Sequence, residues 1–177
     1  MNFYMSGTIP KGDDLKQNRN WREDYAACLR QYFTHVEMHD PTYCLSEVIC
    51  PESNEKFWFG HDCHLIKSSD IIIVKADEKL GVGTAQEILI AKYFAKPVVA
   101  VLPKNAPHRI QNLDLKTGFV ADWIHPFLAA TADLIVEKLE DAVDWIKEYE
   151  ADPSCKAVKD ISVIDQNIDY YLTYKPE

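Results

Sequence analysis

The segment Ile71-Ile72-Ile73-Val74 is apolar at every position and follows a predicted helix over residues 57–69. A strand without alternation of polar and apolar residues is typical of a parallel sheet, where both faces of the strand are buried. Val98 to Leu102 is a second such run, and a predicted helix over residues 84–95 separates the two. Strands joined by single helices predict βαβ units with right-handed crossovers. The sequence therefore predicts an α/β protein.

The remaining segments extend this pattern toward both ends of the chain. Phe3 to Ser6 is a predicted first strand, a helix follows, and Val36 to Met38 is a predicted second strand. Residues 131–149 predict one long amphipathic helix. Its inner stripe is Leu134, Ile135, Leu139, Val143 and Ile146. The segment from Phe119 to Pro126 stays open between helix and strand. Residues 151–177 lack helical periodicity, so we expect a tail that packs on a neighbouring subunit or a short extra strand.

The composition fits a single globular domain: 177 residues, of which 47% are hydrophobic. We expect a domain over residues 1–150 and a C-terminal extension over residues 151–177. The net charge of −9 argues against a nucleic-acid polymer as partner, because such a partner favours a basic face. No apolar run reaches the roughly 20 residues of a membrane helix, and no signal-peptide pattern is present, so we expect a cytoplasmic protein without a membrane partner. The five cysteines form no Cys-x-x-Cys pair, which predicts reduced thiols.

Glu87 is the first candidate for a chemical role, because it follows a glycine-containing turn at the end of a buried strand. Gly81 and Gly83 are expected to let the backbone turn sharply, and Thr84 is expected to cap the next helix. Glu87 then lies in the first helical turn, where the helix dipole stabilises an ionised carboxylate such as a nucleophile requires. The same spacing also fits a capping box, in which Glu87 only binds the N–H of the cap residue. Both interpretations are open at this stage.

Asp62 is the second candidate, on a largely apolar face of the predicted helix over residues 57–69. The other members of that face are Trp58, Leu65, Ile66 and Ser69. A carboxylate rarely points inward without a partner or a function, although capping a backbone segment or pairing with a Lys or Arg remains an alternative. His61 and His64 flank Asp62, but no second cluster offers the remaining ligands of a zinc site. No metal is therefore expected.

The loop after the first strand, residues 7–14, resembles a phosphate-binding turn only loosely in its glycines and Lys11, and a plain surface turn is the alternative. Active sites of parallel sheets lie at the carboxyl ends of the strands. If the first strand is central, Tyr4 and Ser6 at its end therefore face the same edge of the sheet as Glu87.

Taken in order, these segments resemble the nucleoside 2-deoxyribosyltransferase superfamily. The matching segments are Tyr4-Met5-Ser6-Gly7-Thr8-Ile9, Trp21-Arg22-Glu23, Asp40-Pro41, Asp62, Ser69-Asp70-Ile71-Ile72-Ile73-Val74, Gly83-Thr84-Ala85-Gln86-Glu87-Ile88 and Lys96-Pro97-Val98. Their order and spacing over residues 2–102 make the resemblance specific, since any one of them alone is weak. The resemblance implies a flavodoxin-like (Rossmann-like) parallel sheet of about five strands with flanking helices. It also implies a homo-oligomer, a dimer or larger.

The resemblance further implies an enzyme that cleaves the N-glycosidic bond of a (2-deoxy)nucleoside and transfers the deoxyribosyl group to another base. Glu87 matches the glutamate that forms a covalent glycosyl-enzyme, and Asp62 and Tyr4 match residues that position the sugar and the nucleophile. We expect the substrate to be lined by Ser6, Gly7, Thr8, Gly81, Gly83 and Thr84. The partner is then a small nucleoside or nucleotide, and no cofactor is expected.

The run Leu80-Gly81-Val82-Gly83 departs from the transferases, which carry acidic residues just before this glycine. It looks more like the 2-deoxynucleoside 5′-monophosphate N-hydrolases of the same superfamily, although those have the glutamate nearer the glycine and a serine where Lys79 stands here. A hydrolase that releases the base from a (deoxy)nucleoside 5′-monophosphate is therefore the first alternative. A non-catalytic nucleotide-binding sensor is the second, and the presence of both Glu87 and Asp62 disfavours it.

Overall fold

A parallel sheet of five strands lies at the centre of the part of the chain that the structure describes. The structure is a computed structural model, and it describes residues 1–9, 21–42, 54–116 and 118–174. The sheet strands are β1 (Asn2–Ser6), β2 (Glu37–His39), β3 (Ile71–Lys75), β4 (Val98–Val101) and β7 (Leu134–Val136). Two further strands, β5 (Arg109–Leu115) and β6 (Gly118–Ile124), form a separate antiparallel hairpin.

Six helices accompany the strands in the described ranges. They are α1 (Trp21–Leu29), α2 (Glu55–Ser68), α3 (Val82–Tyr93), α4 (Pro126–Thr131), α5 (Val143–Ala151) and α6 (Val163–Leu172), with short 3₁₀ turns at Leu139–Ala142 and Pro153–Cys155. None of the helices described is long and apolar enough to cross a membrane. Residues 10–14 of the loop after β1, with Lys11 and its proposed phosphate-binding turn, lie outside the described ranges.

The strand order confirms the predicted fold class. The sheet runs β2-β1-β3-β4-β7, and every neighbouring pair in it is parallel. Counted along the chain, this is the 2-1-3-4-5 order of a flavodoxin-like sheet, which binds ligands where the strand order reverses. The reversal lies between β1 and β3, so the carboxyl ends of these two strands are the expected position of a site.

Alternating side chains of the central strands enter two different cores. Phe3, Met5, Ile71 and Ile73 pack on one face of the sheet with residues of α1 and α5. Tyr4, Ile72 and Val74 pack on the other face with residues of α2, α3 and α4. The predicted burial of residues 71–74 on both faces is confirmed, because all four are fully buried. Since Tyr4 and Ser6 have the same parity, both face the layer that contains α2 and α3.

The single helix predicted over residues 131–149 is wrong. The chain there ends α4, forms the edge strand β7, turns through 3₁₀ geometry and then enters α5. The apolar residues fit a helical stripe, but Leu134-Ile135-Val136 is also a β-rich run that can complete the sheet. Backbone hydrogen bonds from Asp133 N–H to the Val98 carbonyl (2.9 Å) and from Leu102 N–H to the Val136 carbonyl (2.7 Å) hold it beside β4. Tertiary pairing therefore outweighs the local helical pattern.

Two segments without a firm sequence assignment also form regular structure. Residues 119–126 belong mostly to β6, which pairs with β5. The extension after residue 150 is not an extra strand, because it contains the helix α6. Val163 at the start of α6 is buried, and most later apolar side chains of this helix are exposed. The expectation that residues 151–177 lack helical periodicity is wrong, because Ile164, Ile168, Tyr171 and Leu172 recur at helical spacing along α6.

Candidate active site

Tyr4 and Ser6 of β1 lie at the strand reversal and are both fully buried. Ser6 pairs with Val74 at the carboxyl end of β3, so its hydroxyl stands at the edge where a ligand is expected. The Ser6 hydroxyl donates a short hydrogen bond to Oε2 of Glu87 on α3. The structure thus joins three residues that the sequence placed at one edge of the sheet.

The capping-box interpretation of Glu87 is wrong. Helix α3 begins at Val82 with Gly81 as its N-cap residue, so Thr84 lies within the helix and does not cap it. Glu87 falls in the second turn, and its carboxylate accepts a hydrogen bond from a side chain of β1. It is 8% exposed. The contribution of the helix dipole is correspondingly weaker than the sequence suggested, since this effect declines beyond the first turn.

Two opposing effects act on the Glu87 carboxylate. Burial raises its pKa from the ordinary value of 4.5, because a charged group is less stable away from water. The hydrogen bond from Ser6 lowers the pKa and partly offsets burial, and the nearby Tyr4 hydroxyl lowers it further. The Ser6 hydroxyl therefore stabilises the ionised form of Glu87, which is the form that can act as a nucleophile.

The Tyr4 hydroxyl is an unsatisfied donor beside this carboxylate. Of the buried side-chain polar atoms in the described residues, the Tyr4 hydroxyl oxygen alone has no hydrogen-bond partner. This oxygen nevertheless lies near Glu87. Burial raises the pKa of the Tyr4 phenol, and the negative charges of Glu87 and Asp62 raise it further, so the hydroxyl keeps its proton. A buried unsatisfied polar group destabilises a protein by about 1–3 kcal/mol, which favours a role in binding a ligand.

Asp62 on α2 is partly buried, with a side chain that is 30% exposed, and it faces the same site as Tyr4 and Glu87. Its charge raises the pKa of both the Tyr4 phenol and the Glu87 carboxyl group. Burial also raises the pKa of Asp62, against the effect of its hydrogen bond with Nδ1 of His61 at 3.0 Å. The ring of His61 is parallel to that of Phe57, with centroids 6.3 Å apart, which fixes its orientation toward Asp62. The other predicted members of this face include Ile66 and Ser69, both buried.

Arg22 is a buried residue of the site to which the sequence alone assigned no role. Its guanidinium donates to the carbonyls of Met5 and Gly7, both at 3.2 Å, and pairs with Asp40 at 3.3 Å. These contacts fix the end of β1 that carries Ser6. The signal was present in the sequence as Trp21-Arg22-Glu23 and Asp40-Pro41, but only the folded chain shows that the two motifs form an ion pair.

The glycines of the predicted substrate lining have different roles in the fold. A Cβ on Gly7 would lie 2.8 Å from the Trp21 ring, so the absence of a side chain there allows Trp21 to pack on the end of β1. Gly81 has an ordinary φ of −76° and open space around it, so a sharp turn does not explain its presence. A Cβ on Gly83 would lie 3.7 Å from Oε1 of Glu87, an ordinary contact distance that places this residue beside the carboxylate. Thr8 is exposed, whereas Thr84 is buried in α3.

Within the described ranges, no group of three or more His, Cys, Asp or Glu side chains is arranged to hold a metal ion. His64 is exposed, whereas His61 contacts Asp62. The candidate chemistry of the site therefore rests on the carboxylates and hydroxyls described above.

Solved structures with this topology include enzymes of one kind. A 2-deoxyribosyltransferase from the psychrotolerant bacterium Bacillus psychrosaccharolyticus superposes with a TM-score of 0.57 at 16% identity, covering 90% of this chain and 98% of that one. A 2-deoxyribosyltransferase from Leishmania mexicana gives 0.57 at 13% identity, covering 84% of this chain and 97% of that one. The chain shares its fold with these two enzymes. This confirms, at the level of the fold, the resemblance seen in the sequence.

A conserved protein from Enterococcus faecalis V583 also superposes on this chain, with a TM-score of 0.57 at 17% identity, covering 83% of this chain and 97% of that one. No protein-family model and no curated protein sequence matches the chain. At these identities the likeness concerns the backbone, so the roles of individual residues rest on the geometry of the site.

Proposed function

We propose that this protein is an enzyme that cleaves the N-glycosidic bond of a (2-deoxy)nucleoside and transfers the deoxyribosyl group to another base. The observation that carries the proposal is the buried Glu87 carboxylate, hydrogen-bonded by Ser6 and next to the unpartnered Tyr4 hydroxyl. A buried carboxylate and a buried free donor both destabilise the empty protein. A sugar bound at this edge would supply a partner for the hydroxyl and an electrophilic carbon for the carboxylate.

The reaction has two displacement steps at one carbon. An oxygen of ionised Glu87 attacks the anomeric carbon, the bond from that carbon to the base nitrogen breaks, and the base takes up its electron pair and a proton. The deoxyribosyl group is then an ester of Glu87. A nitrogen of the acceptor base attacks the same carbon and loses its proton, and Glu87 leaves as a carboxylate. The two inversions together retain the configuration of the sugar.

Tyr4 and Asp62 have supporting roles in this scheme. The Tyr4 hydroxyl, which keeps its proton, can donate a hydrogen bond to a sugar oxygen or to Glu87 and so fix their separation. Asp62 is partly exposed, and burial raises its pKa, so it can hold the proton that the leaving base requires. Ser6 keeps Glu87 oriented and ionised between turnovers.

A hydrolase that releases the base from a (deoxy)nucleoside 5′-monophosphate is the second candidate, and the segment before α3 favours it. Gly81 stands where the transferases carry an acidic residue, and without a side chain it offers no carboxylate to contact a base. In this variant water attacks the glycosyl ester in the second step, and the free sugar phosphate leaves. The first step on Glu87 is the same for both candidates.

A panel of deoxynucleosides, ribonucleosides and their 5′-monophosphates, assayed for free base by chromatography, tests the proposal. We expect wild-type protein to release base from at least one of them, and Glu87→Ala to release none while remaining folded. The matched control is Gln86→Ala, on the exposed side of the same helical turn, which should retain the wild-type rate. Addition of a second free base separates the candidates, since base exchange without net hydrolysis is the transferase outcome. Turnover by Glu87→Ala would refute the role of Glu87.

We also propose that the protein is a homo-oligomer, a dimer or larger, as the resemblance to the superfamily implies. Exposed apolar side chains on α4 and α6, such as Phe127 and Ile168, support an association of this kind. Sedimentation equilibrium measures the mass directly.

A further inference from the structure

The loop that leads into α3 is the part of the site with the fewest local constraints. Gly81 provides no side-chain hydrogen bond as the N-cap residue, and Gly83 follows it in the first helical turn. Glycine lowers helix stability by about 1 kcal/mol relative to alanine, and an N-cap side chain contributes a similar amount where one is present. The first turn of α3 is therefore weak by itself, although its Gly83 lies beside the Glu87 carboxylate.

Leu80 anchors this loop on the core, but a cavity adjoins the contact. A cavity of about 230 Å³ lies between the loop, α3, α4 and the base of the β5–β6 hairpin. It is lined mainly by apolar side chains, and it includes Leu80 from the loop and Ile88 from α3. Leu80 is therefore packed on one side and borders open space on the other, so its contacts restrain the loop less than close packing all round would.

One hydrogen bond crosses this space to the loop. The Leu80 N–H, just before the N-cap residue, donates to Nε2 of His108 at 2.9 Å. His108 lies in the turn just before β5, and its carbonyl accepts the N–H of His125 (2.9 Å) at the base of the β5–β6 hairpin. Nε2 can accept only when it carries no proton, so the bond requires neutral His108 with its proton on Nδ1.

We propose that His108 is a positioning residue for Glu87, holding Leu80 and the first turn of α3 so that Gly83 stays beside the carboxylate. The inference rests on the function proposed above, since it concerns the geometry of the same nucleophile. His108 does not touch the reacting atoms. It acts through Leu80 and the first turn of α3, whose Gly83 lies beside the carboxylate.

The charges around His108 favour the neutral ring that this role requires. Burial lowers the pKa of His108, and the neighbouring His125 and Lys79 lower it further. The His125 ring lies 5.7 Å from the His108 ring in an edge-to-face arrangement. The residues of α3 and α4 that line the cavity are uncharged. At neutral pH the neutral ring of His108, which can accept the hydrogen bond from Leu80, therefore dominates. At low pH the ring is protonated on both nitrogens and can no longer accept this bond.

Two variants at position 108, with amide hydrogen exchange followed residue by residue, test the proposal. His108→Leu removes the acceptor, whereas His108→Gln can replace it with its side-chain oxygen. We expect His108→Leu to speed exchange of the Leu80 amide and of the first turn of α3 about tenfold, the effect of one lost hydrogen bond. Exchange at Phe94, at the far end of the helix, should stay unchanged. His108→Gln should restore most of the protection.

Kinetics and pH complete the test. In His108→Leu the kcat for base release should fall about tenfold with little change in KM, and His108→Gln should recover most of it. Protection of Leu80 in wild type should be lost as pH falls through the His108 pKa, and in His108→Gln it should not. His125→Gln, in the same cavity, is the control and should keep the Leu80 protection at neutral pH.

Each arm has an outcome that overturns the proposal. Unchanged exchange at Leu80 in His108→Leu shows that the histidine does not hold the loop, whatever the activity. Faster exchange with an unchanged kcat shows that the loop does not position Glu87. If wild type releases no base from any substrate, the proposed function fails, while the exchange data still decide whether His108 holds the loop.

Discussion

Glu87 combines two demands that oppose each other. A nucleophilic carboxylate must be ionised, yet burial in an apolar layer favours its protonated form. The hydrogen bond from Ser6 reduces this conflict, and the charge of nearby Asp62 increases it. The residue therefore destabilises the empty protein at the pH at which it is reactive, which is a common property of catalytic carboxylates.

Replacing Glu87 with glutamine should stabilise the protein in a pH-dependent manner. Because burial raises the folded-state pKa of Glu87 above 4.5, the native state binds more protons than the unfolded state between these two pKa values. As pH rises from the unfolded-state pKa to the folded-state pKa of Glu87, the free energy of unfolding of the wild type therefore falls. The decrease is about 1.4 kcal/mol for each unit by which folding raises the pKa. Glu87→Gln does not titrate, so its advantage should be absent below about pH 4 and full above the raised pKa.

Urea denaturation of Glu87→Gln and wild type across this pH range measures the difference. The matched control is Glu78→Gln, at an exposed position in the loop before α3, which should show no such pH-dependent gain. A Glu87→Gln protein that is less stable than wild type at neutral pH would contradict the conclusion that burial dominates at this position.

At the scale of elements, the sequence predicted those strands that a local apolar pattern identifies, and the alternation of side chains along a strand predicted which residues share a face. The runs at residues 71–74 and 98–102 identified β3 and β4, because an apolar β-rich run with no polar position admits few alternatives. Parity along β1 then placed Tyr4 and Ser6 on one face. The strand β7 and the hairpin were not predicted, since their pairing partners are distant in sequence and their own patterns also fit other structures. Contacts made by Arg22 depend on the fold in the same way.

The residues of the candidate site likewise fall into those that the local sequence indicates and those that only the folded chain brings together. Asp62 could be proposed from the sequence because it is a carboxylate on a largely apolar helix face. Tyr4, Ser6 and Glu87 could be proposed because they lie at or just after the carboxyl ends of predicted strands, and the resemblance to the superfamily supplied their expected roles. His108 could not, since nothing near it in the chain indicates that its ring reaches the loop before α3. Such a contact depends on where the hairpin folds back, which no local pattern contains.

A buried ion pair joins α3 to the edge of the sheet and gives a prediction at this scale. Lys92 and Asp133 have side chains that are 0% and 1% exposed, and the Lys92 ammonium donates to the Asp133 carboxylate. Removing one partner leaves the other charge buried and unpaired. Lys92→Met should therefore lower the free energy of unfolding by about 3–5 kcal/mol, measured by urea denaturation.

The exposed pair of Lys104 and Glu137, 3.2 Å apart, provides the control. Lys104→Met removes the same kind of charge from a side chain that is 58% exposed, and should change the stability by at most about 1 kcal/mol. Equal losses from both variants would show that the Lys92–Asp133 pair does not depend on its burial.

At the scale of the whole molecule, the segment after residue 150 is tied to the domain through the same aspartate. The Lys159 N–H donates to Oδ1 of Asp133 at 2.7 Å, while Oδ2 accepts the Val98 N–H at 2.6 Å. The Lys159 ammonium also donates to the carbonyl of Ala132 at 2.6 Å, at the end of α4. Three parts of the chain, β4, the α4–β7 junction and the extension, therefore meet at one buried carboxylate.

A chain that ends after Ala151 should consequently lose stability in the domain that remains. It leaves Asp133 without one donor, leaves the last carbonyls of α4 without the Lys159 ammonium, and removes the buried Val163 side chain. Each unsatisfied buried group costs about 1–3 kcal/mol, so we expect a loss of about 3 kcal/mol or more, measured by urea denaturation. A chain that ends after Thr173 removes the exposed Tyr174 but keeps all of these contacts, and it should match the full chain within about 0.5 kcal/mol. Equal stability of the two truncated chains would mean that the extension only covers the domain, and that the Asp133 carboxylate finds its remaining partners without it.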